Sequence, residues 1–250
     1  MLIGVVASSN SGIVTNGLTL HLDAGQLRSY PGSGTTWTDL SGNADNGTLV
    51  NGPTFNSANG GSIVFDAIDD YVISSSTTNT NVTSTTGFTF GVWVYPEFTS
   101  NDFNTQIQAI ICSRASSANN FDYWVALGLA SGSFGCTANS RNLFYTYQGN
   151  NAFTCSNGTN VWTNNAWNYI VSTHSGTTLN QYVNGSVVTS NKSTFTANSN
   201  TNAKYIFGHG CAFNQTRFRG KIAINQVYNR VLTATEVLQN YNAQKSRFGL

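Results

Sequence analysis

One dipeptide constrains this chain more than any other: Asn184-Gly185, inside the stretch Trp167–Thr189, WNYIVSTHSGTTLNQYVNGSVVT. Asn-Gly suits a type I′ turn, because both central residues need positive φ and the twist of that turn matches the strands it joins. Before it, Leu179, Gln181 and Val183 alternate with Asn180 and Tyr182; after it, Val187 and Val188 begin a return strand. Further upstream, Asn168, Ile170, Ser172 and His174 alternate with Trp167, Tyr169, Val171 and Thr173 until Ser175-Gly176 breaks the run. A period of two belongs to a pleated strand. The stretch reads as an antiparallel meander, and it sets the class: an all-β sandwich.

The same pattern extends along the chain. Gly17–Leu22 is the first credible strand, with Leu18, Leu20 and Leu22 on one face. Residues 25–61 read as a long polar connection full of turn signals, pinned to the body by Trp37 and Leu40. Ser62–Asp66 and Tyr71–Ser74 make two strands joined by an acidic turn through Asp69 and Asp70. Phe88–Tyr95 puts Phe88, Phe90, Val92 and Val94 on one face and leaves Trp93 and Tyr95 for the other. Gln108–Ser113, Tyr123–Ala130, Leu143–Gln148, Tyr205–Gly208 and Gly220–Tyr228 supply further strands. Thr233 and Glu236 form a capping box that opens a short closing helix to about Gln244. Residues 1–16, an apolar start followed by SSNSG, read as an arm outside a single body at 17–250.

Composition bounds the function. Charged residues are 8% of the 250, against about 25% in ordinary globular chains, so Asn, Ser, Thr and Gly must supply solubility. The formal net charge is +1 and the largest basic group is Arg217, Arg219 and Lys221, a poor footprint for nucleic acid. No apolar run is long enough to span a bilayer. A surface so low in charge suits a subunit of a larger assembly. The four cysteines, Cys112, Cys136, Cys155 and Cys211, lack CxxC spacing, which argues against zinc. Three disulfide connectivities are open to them; without a recognisable export signal, buried free thiols are the preferred expectation.

Several segments occur in a telling order: Leu22-Asp23-Ala24-Gly25, Trp37-Thr38-Asp39-Leu40-Ser41-Gly42-Asn43, Phe65-Asp66 with Asp69-Asp70-Tyr71-Val72, Trp93-Val94 before Pro96, Tyr182-Val183-Asn184-Gly185, and Val227-Tyr228-Asn229-Arg230 leading to Glu236. Together they resemble the laminin G-like branch of the concanavalin A-like lectin/glucanase superfamily, over roughly residues 17–244. The ending Asn240–Leu250 resembles versions found in virion structural proteins of tailed, especially marine, bacteriophages. The resemblance implies a two-sheet antiparallel jelly roll with a short carboxy-terminal helix. It implies binding, often of carbohydrate, rather than catalysis.

The residues agree that an enzyme is not expected. Retaining glucanases need a pair of carboxylates flanking the scissile bond. Only two glutamates exist, Glu97 after a strand and Glu236 in the helix cap. No nucleophile elbow, P-loop or HExxH appears. Asp66, Asp69 and Asp70 could hold calcium, which relatives often bind near a sheet edge, or simply cap a tight turn; the turn is the preferred reading. Trp37, Tyr147, Phe153 and Trp162 lie in or beside polar loops. They could stack against sugar C–H faces, or pin those loops to the body, and the second is preferred.

Two functions follow. The first is a non-catalytic virion structural or decoration protein, assembled in the host cytoplasm. It would contact other virion proteins or itself through the arm and a sheet edge, and would touch host-surface glycans. The alternative is a calcium-dependent carbohydrate-binding or adhesion module outside any virion, at an extracellular surface.

Overall fold

The computed structural model describes residues 12–75, 87–99, 108–114, 124–130, 141–147, 152–158, 160–193, 204–209 and 217–250. Two antiparallel sheets pack face to face. The first runs β14 (Ser186–Ser193), β13 (Thr178–Val183), β12 (Asn168–Ser175), β7 (Phe88–Pro96), β16 (Arg219–Tyr228), β5 (Ser62–Asp66) and β4 (Thr54–Asn56). Here β16 is long enough to pair β5 through residues 219–222 and β1 (Leu18–Asp23) through residues 224–228. The second sheet runs β11 (Ala152–Cys155), β10 (Asn142–Tyr147), β9 (Trp124–Ala130), β8 (Gln108–Arg114), β15 (Lys204–Phe207), β6 (Tyr71–Ser74), β3 (Gly47–Val50) and β2 (Thr36–Trp37).

The meander at 167–189 is present as expected. Asn184 and Gly185 both hold positive φ, 51° and 79°, so the two residues fit the tight turn between β13 and β14. The long connection differs from expectation, because β2, β3 and β4 lie within residues 25–61. Strands of two to four residues are too short for a period of two to show. For the same reason β11 lies in a segment expected to be loop.

The alternation along β7 separates two cores. Phe88, Phe90, Val92 and Val94 are fully buried between the sheets with Ile110, Tyr205 and Phe207. Trp93 points the other way, into a second core on the outer face of the first sheet with Tyr169, Val171, Tyr182, Ile224 and Tyr228. The helix α1 (Ala234–Gln244) covers that face. Its capping box is complete: Thr233 Oγ1 accepts the Glu236 N–H, and Glu236 Oε2 accepts the Thr233 N–H. Arg230 adds two bonds to the same carboxylate, which holds Glu236 well below the usual range, at about 2.

Two expectations need correction. Val14 is buried in the outer core; its N–H donates to Asn240 Oδ1 at 2.7 Å and its carbonyl accepts from Tyr228 Oη at 3.0 Å. The body therefore begins before Gly17, because polar groups at the helix and β16 give this segment's backbone its partners. Residues 1–11 of the expected arm lie outside the described residues. The free-thiol expectation also fails for Cys112 and Cys155, each of which is disulfide-bonded, while Cys136 and Cys211 lie outside the described residues. Pairing needs Cβ atoms within about 3.5–4.5 Å, a tertiary fact that cysteine spacing does not report.

Candidate functional site

The acidic turn comes together as the sequence suggests. One oxygen from each of Asp66, Asp69 and Asp70 lies within 4.8 Å of the others. Two of these carboxylates serve the turn itself: Asp70 Oδ2 accepts the Asp66 N–H at 3.1 Å, and Asp66 Oδ1 accepts the Ile68 N–H at 2.7 Å. Asn51 Nδ2 donates to the Asp69 carbonyl at 3.0 Å. Burial raises the Asp70 carboxyl to about 6; the charges of Asp66 and Asp69 push the same way, against the bond from the Asp66 N–H. Calcium takes about six to eight oxygens, and no fourth acidic, cysteine or histidine side chain joins the three among the described residues. The set fits a hydrogen-bonded turn better than a dedicated calcium site. Ala67 sits in that turn at φ 65°, a left-handed conformation that favours glycine.

Of the four aromatics weighed as a sugar surface, Trp37 and Trp162 take the preferred role of pinning loops. Trp37 is fully buried in the inner core, and Trp162 is 1% exposed, packed edge-on against Phe98 at 5.1 Å. Both pin loops to the sandwich and neither can meet a sugar. Tyr147 and Phe153 lie in β10 and β11, where the register pairs Thr146 with Phe153 and Tyr147 with Ala152. Their side chains lie outside the described residues.

A different site forms on the outer face of the first sheet, beside the helical tail. Lys221 of β16 stands directly opposite Tyr95 of β7. Trp167 precedes Asn168, which pairs with Val94, so it falls beside Tyr95 in the same row. These three, with Asn56, Ser62 and the 3-10 turn Ala58–Gly60, line a cleft of about 150 Å³. Tyr95 and Trp167 meet edge to face, with centroids 5.5 Å apart. The Lys221 ammonium lies 4.3 Å from the Tyr95 centroid and also pairs with Glu97.

Second contacts fix these groups. Trp167 Nε1 donates to Asn59 Oδ1 at 3.2 Å, and its ring packs on Phe248 at 4.6 Å. Arg247 ties the loop down: Nε donates to the Asn59 carbonyl at 2.7 Å, an Nη to the Gly61 carbonyl at 2.6 Å, and the other Nη to Asp23 at 2.5 Å. Asn56 uses its oxygen on the Ala58 N–H, which leaves its amide donors to the cleft. Ser62 is fully buried at this edge and its Oγ has no partner. Aromatic edges, amides, a hydroxyl and an ammonium in one small concavity can bind a polyhydroxylated ring.

Sequence reasoning passed over Tyr95, Trp167, Lys221 and Asn59 as a site. The signal for Tyr95 was present, since the alternation in FTFGVWVY leaves it on the face away from the inner core.

Residues 66–238 match the laminin G family within the Concanavalin A-like lectin/glucanases superfamily. The chain belongs to that superfamily. No curated protein matches the sequence. Among solved structures, domain 4 of a Geobacillus stearothermophilus extracellular arabinanase, in complex with arabinotriose, shares 16% identity at a TM-score of 0.63, over 90% of this chain and 98% of that one. The binding domain of Paraclostridial mosquitocidal protein 1 (18% identity, TM-score 0.66) is spanned over 92% of this chain and 52% of its own. The binding domain of botulinum neurotoxin serotype G (18%, 0.65) is spanned over 92% and 51%. The chain thus covers about half of each toxin domain. At these identities the likeness is one of fold. No helix among the described residues is long and apolar enough to cross a membrane.

Proposed function

We propose that this laminin G-like domain is a non-catalytic carbohydrate-binding module and that the Tyr95–Trp167–Lys221 cleft is its sugar site. The observation that carries the reading is the row of outer-face neighbours, two aromatic rings and an ammonium, with Asn56 and Asn59 around it. Membership of a lectin superfamily and the likeness to an arabinanase domain solved with arabinotriose support the same class. The positions of the two glutamates support a binding role: Glu97 is engaged by Lys221, and Glu236 by Arg230 and the helix cap.

This reading is the adhesion-module alternative without a calcium requirement, and the cleft favours it over virion decoration. The virion reading leans on low charge, on the resemblance of the Asn240–Leu250 ending and on an arm whose first eleven residues lie outside the described set. Disulfide-bonded Cys112 and Cys155 support an oxidising, extracellular setting.

Calorimetric titration with a panel of neutral oligosaccharides tests the function. Binding is expected in the high micromolar range, with loss of about tenfold or more in affinity for Trp167→Ala and for Asn59→Ala. Equal affinity in a folded Asn59→Ala protein would move the site elsewhere. Hydrolysis of any member of the panel would overturn the non-catalytic reading.

A further inference from the structure

The charge and size of the cleft go beyond its sugar-binding role, although the argument rests on that role. At about 150 Å³ the cleft is smaller than the roughly 300–1,000 Å³ that holds a drug-sized ligand. One sugar ring fills such a space. Among the described residues, Lys221 is the one charged side chain that lines it. That ammonium is held between the Tyr95 ring and Glu97, which neutralises it, and the two charged side chains remain 20% and 37% exposed. Arg247, which ties down the loop beside the cleft, is spent on Asp23 and on two loop carbonyls. An anionic sugar therefore finds no uncompensated positive charge among the described residues that line the cleft, and Glu97 repels its carboxylate. A neutral ring finds the ammonium protons that Glu97 leaves unused, with Asn56 and Asn59 at the lining.

We infer that the cleft recognises a single uncharged sugar ring, and that Glu97 sets this selectivity by neutralising Lys221. Recognition of one ring means that a methyl glycoside carries most of the affinity of the oligosaccharide that contains it. Glu97 acts as a specificity residue through Lys221 and makes no contact essential to a neutral ligand.

The test uses the full chain and follows the Trp167 indole N–H by nuclear magnetic resonance, since that proton sits on Asn59 at the cleft. The probes are methyl arabinofuranoside, methyl galactoside, methyl glucoside, methyl glucuronide and arabinotriose. A neutral methyl glycoside is expected to shift the indole signal, with a Kd within about threefold of its oligosaccharide and unchanged between 20 and 300 mM salt, roughly the range over which screening removes exposed charge effects. The glucuronide is expected to bind at least about fivefold more weakly, the scale of a partly exposed ion pair. In Glu97→Gln the affinity of the glucuronide relative to the glucoside should rise about fivefold at low salt.

A glucuronide that binds wild-type protein as tightly as the glucoside overturns the inference, as does a trisaccharide that binds tenfold or more tightly than its methyl glycoside. If Glu97→Gln does not fold, the salt series on the wild type decides, because a neutral ligand whose Kd rises with salt contradicts the argument. Absence of binding by every probe sinks the carbohydrate reading itself. Binding without charge discrimination sinks only this inference.

Discussion

The two faces of β7 are made from different aromatics. The inner face presents Phe88 and Phe90 with Val92 and Val94 to the core between the two sheets. The outer face presents Trp93 and Tyr95 to a core covered by α1 and the tail after it. Rings on the outer face carry polar handles, and the handles are used: Trp93 Nε1 donates to Gln244 at 2.8 Å, Trp167 Nε1 to Asn59, and Tyr169 Oη to Gln226 at 3.0 Å. Phenylalanine suits a region with no polar partner in reach, whereas Trp and Tyr suit one where a helix or loop can accept a bond. The inner face is sealed. The outer face is covered only in part, and where the cover stops, Tyr95 and Trp167 border the cleft.

Truncation on the sealed face should therefore cost stability alone. Phe90→Ala removes a fully buried ring and is expected to lower unfolding free energy by about 3–5 kcal/mol, measured by denaturant titration. A loss under 1 kcal/mol would mean that the inner face is not close-packed.

Titration should sharpen the contrast. Asp45 is fully buried beside the inner core and its Oδ2 has no partner. Burial pushes its carboxyl up to about 7, against the Ser75 and Ser74 bonds that favour the charge. Because the folded value lies above the unfolded one, the native state holds a proton that the unfolded chain has shed. Stability is therefore full below about pH 4 and falls as pH rises towards 7, by about 2–4 kcal/mol in total. Asp70, at about 6, acts in the same direction. Glu236, held near 2, acts oppositely and loses its contribution as pH falls from about 4.5 to 2. Asp45→Asn is expected to flatten the upper limb, read by chemical denaturation at pH 5 and pH 8. An unchanged limb would assign it to another group.

On the outer face, Arg247→Ala breaks the tie between the tail, Asp23 and the Asn59 loop. Stability should fall by about 1–2 kcal/mol, the scale of hydrogen bonds to a charged group. Any sugar affinity should fall with it, because the loop is released. Full affinity with reduced stability would separate the clamp from the cleft.

The smallest effects belong to the acidic turn. Ala67→Gly removes the cost of a left-handed Ala and should stabilise by about 0.5–1 kcal/mol. Millimolar calcium should shift Tm by less than about 1 °C, since a ligand stabilises only in proportion to its binding to the native state. A shift of several degrees that Asp69→Ala removes would establish a metal there.

Much of the fold was written in local pattern. The period of two in β7 and β12, the Asn184-Gly185 turn and the Thr233–Glu236 box each depend on backbone geometry and on neighbours a few residues away. Such signals are readable because the physics that generates them is local. The acidic turn was legible for the same reason, all of its carboxylates lying within five residues.

The cleft was not legible. Asn59, Tyr95, Trp167, Lys221 and Arg247 come from five distant points of the chain, and only strand order and the docking of the tail bring them to one edge. The alternation could tell that Tyr95 faces away from the inner core, but not that α1 covers Trp93 and stops short of Tyr95. Trp37 and Trp162 follow the preferred expectation that they pin polar loops to the body. Loop residues in sequence, they are core residues in space, because large rings are where a polar loop gains most by burying itself. The partners of buried groups, and the limits of what covers a sheet, are properties of packing between distant segments, and no local pattern encodes them.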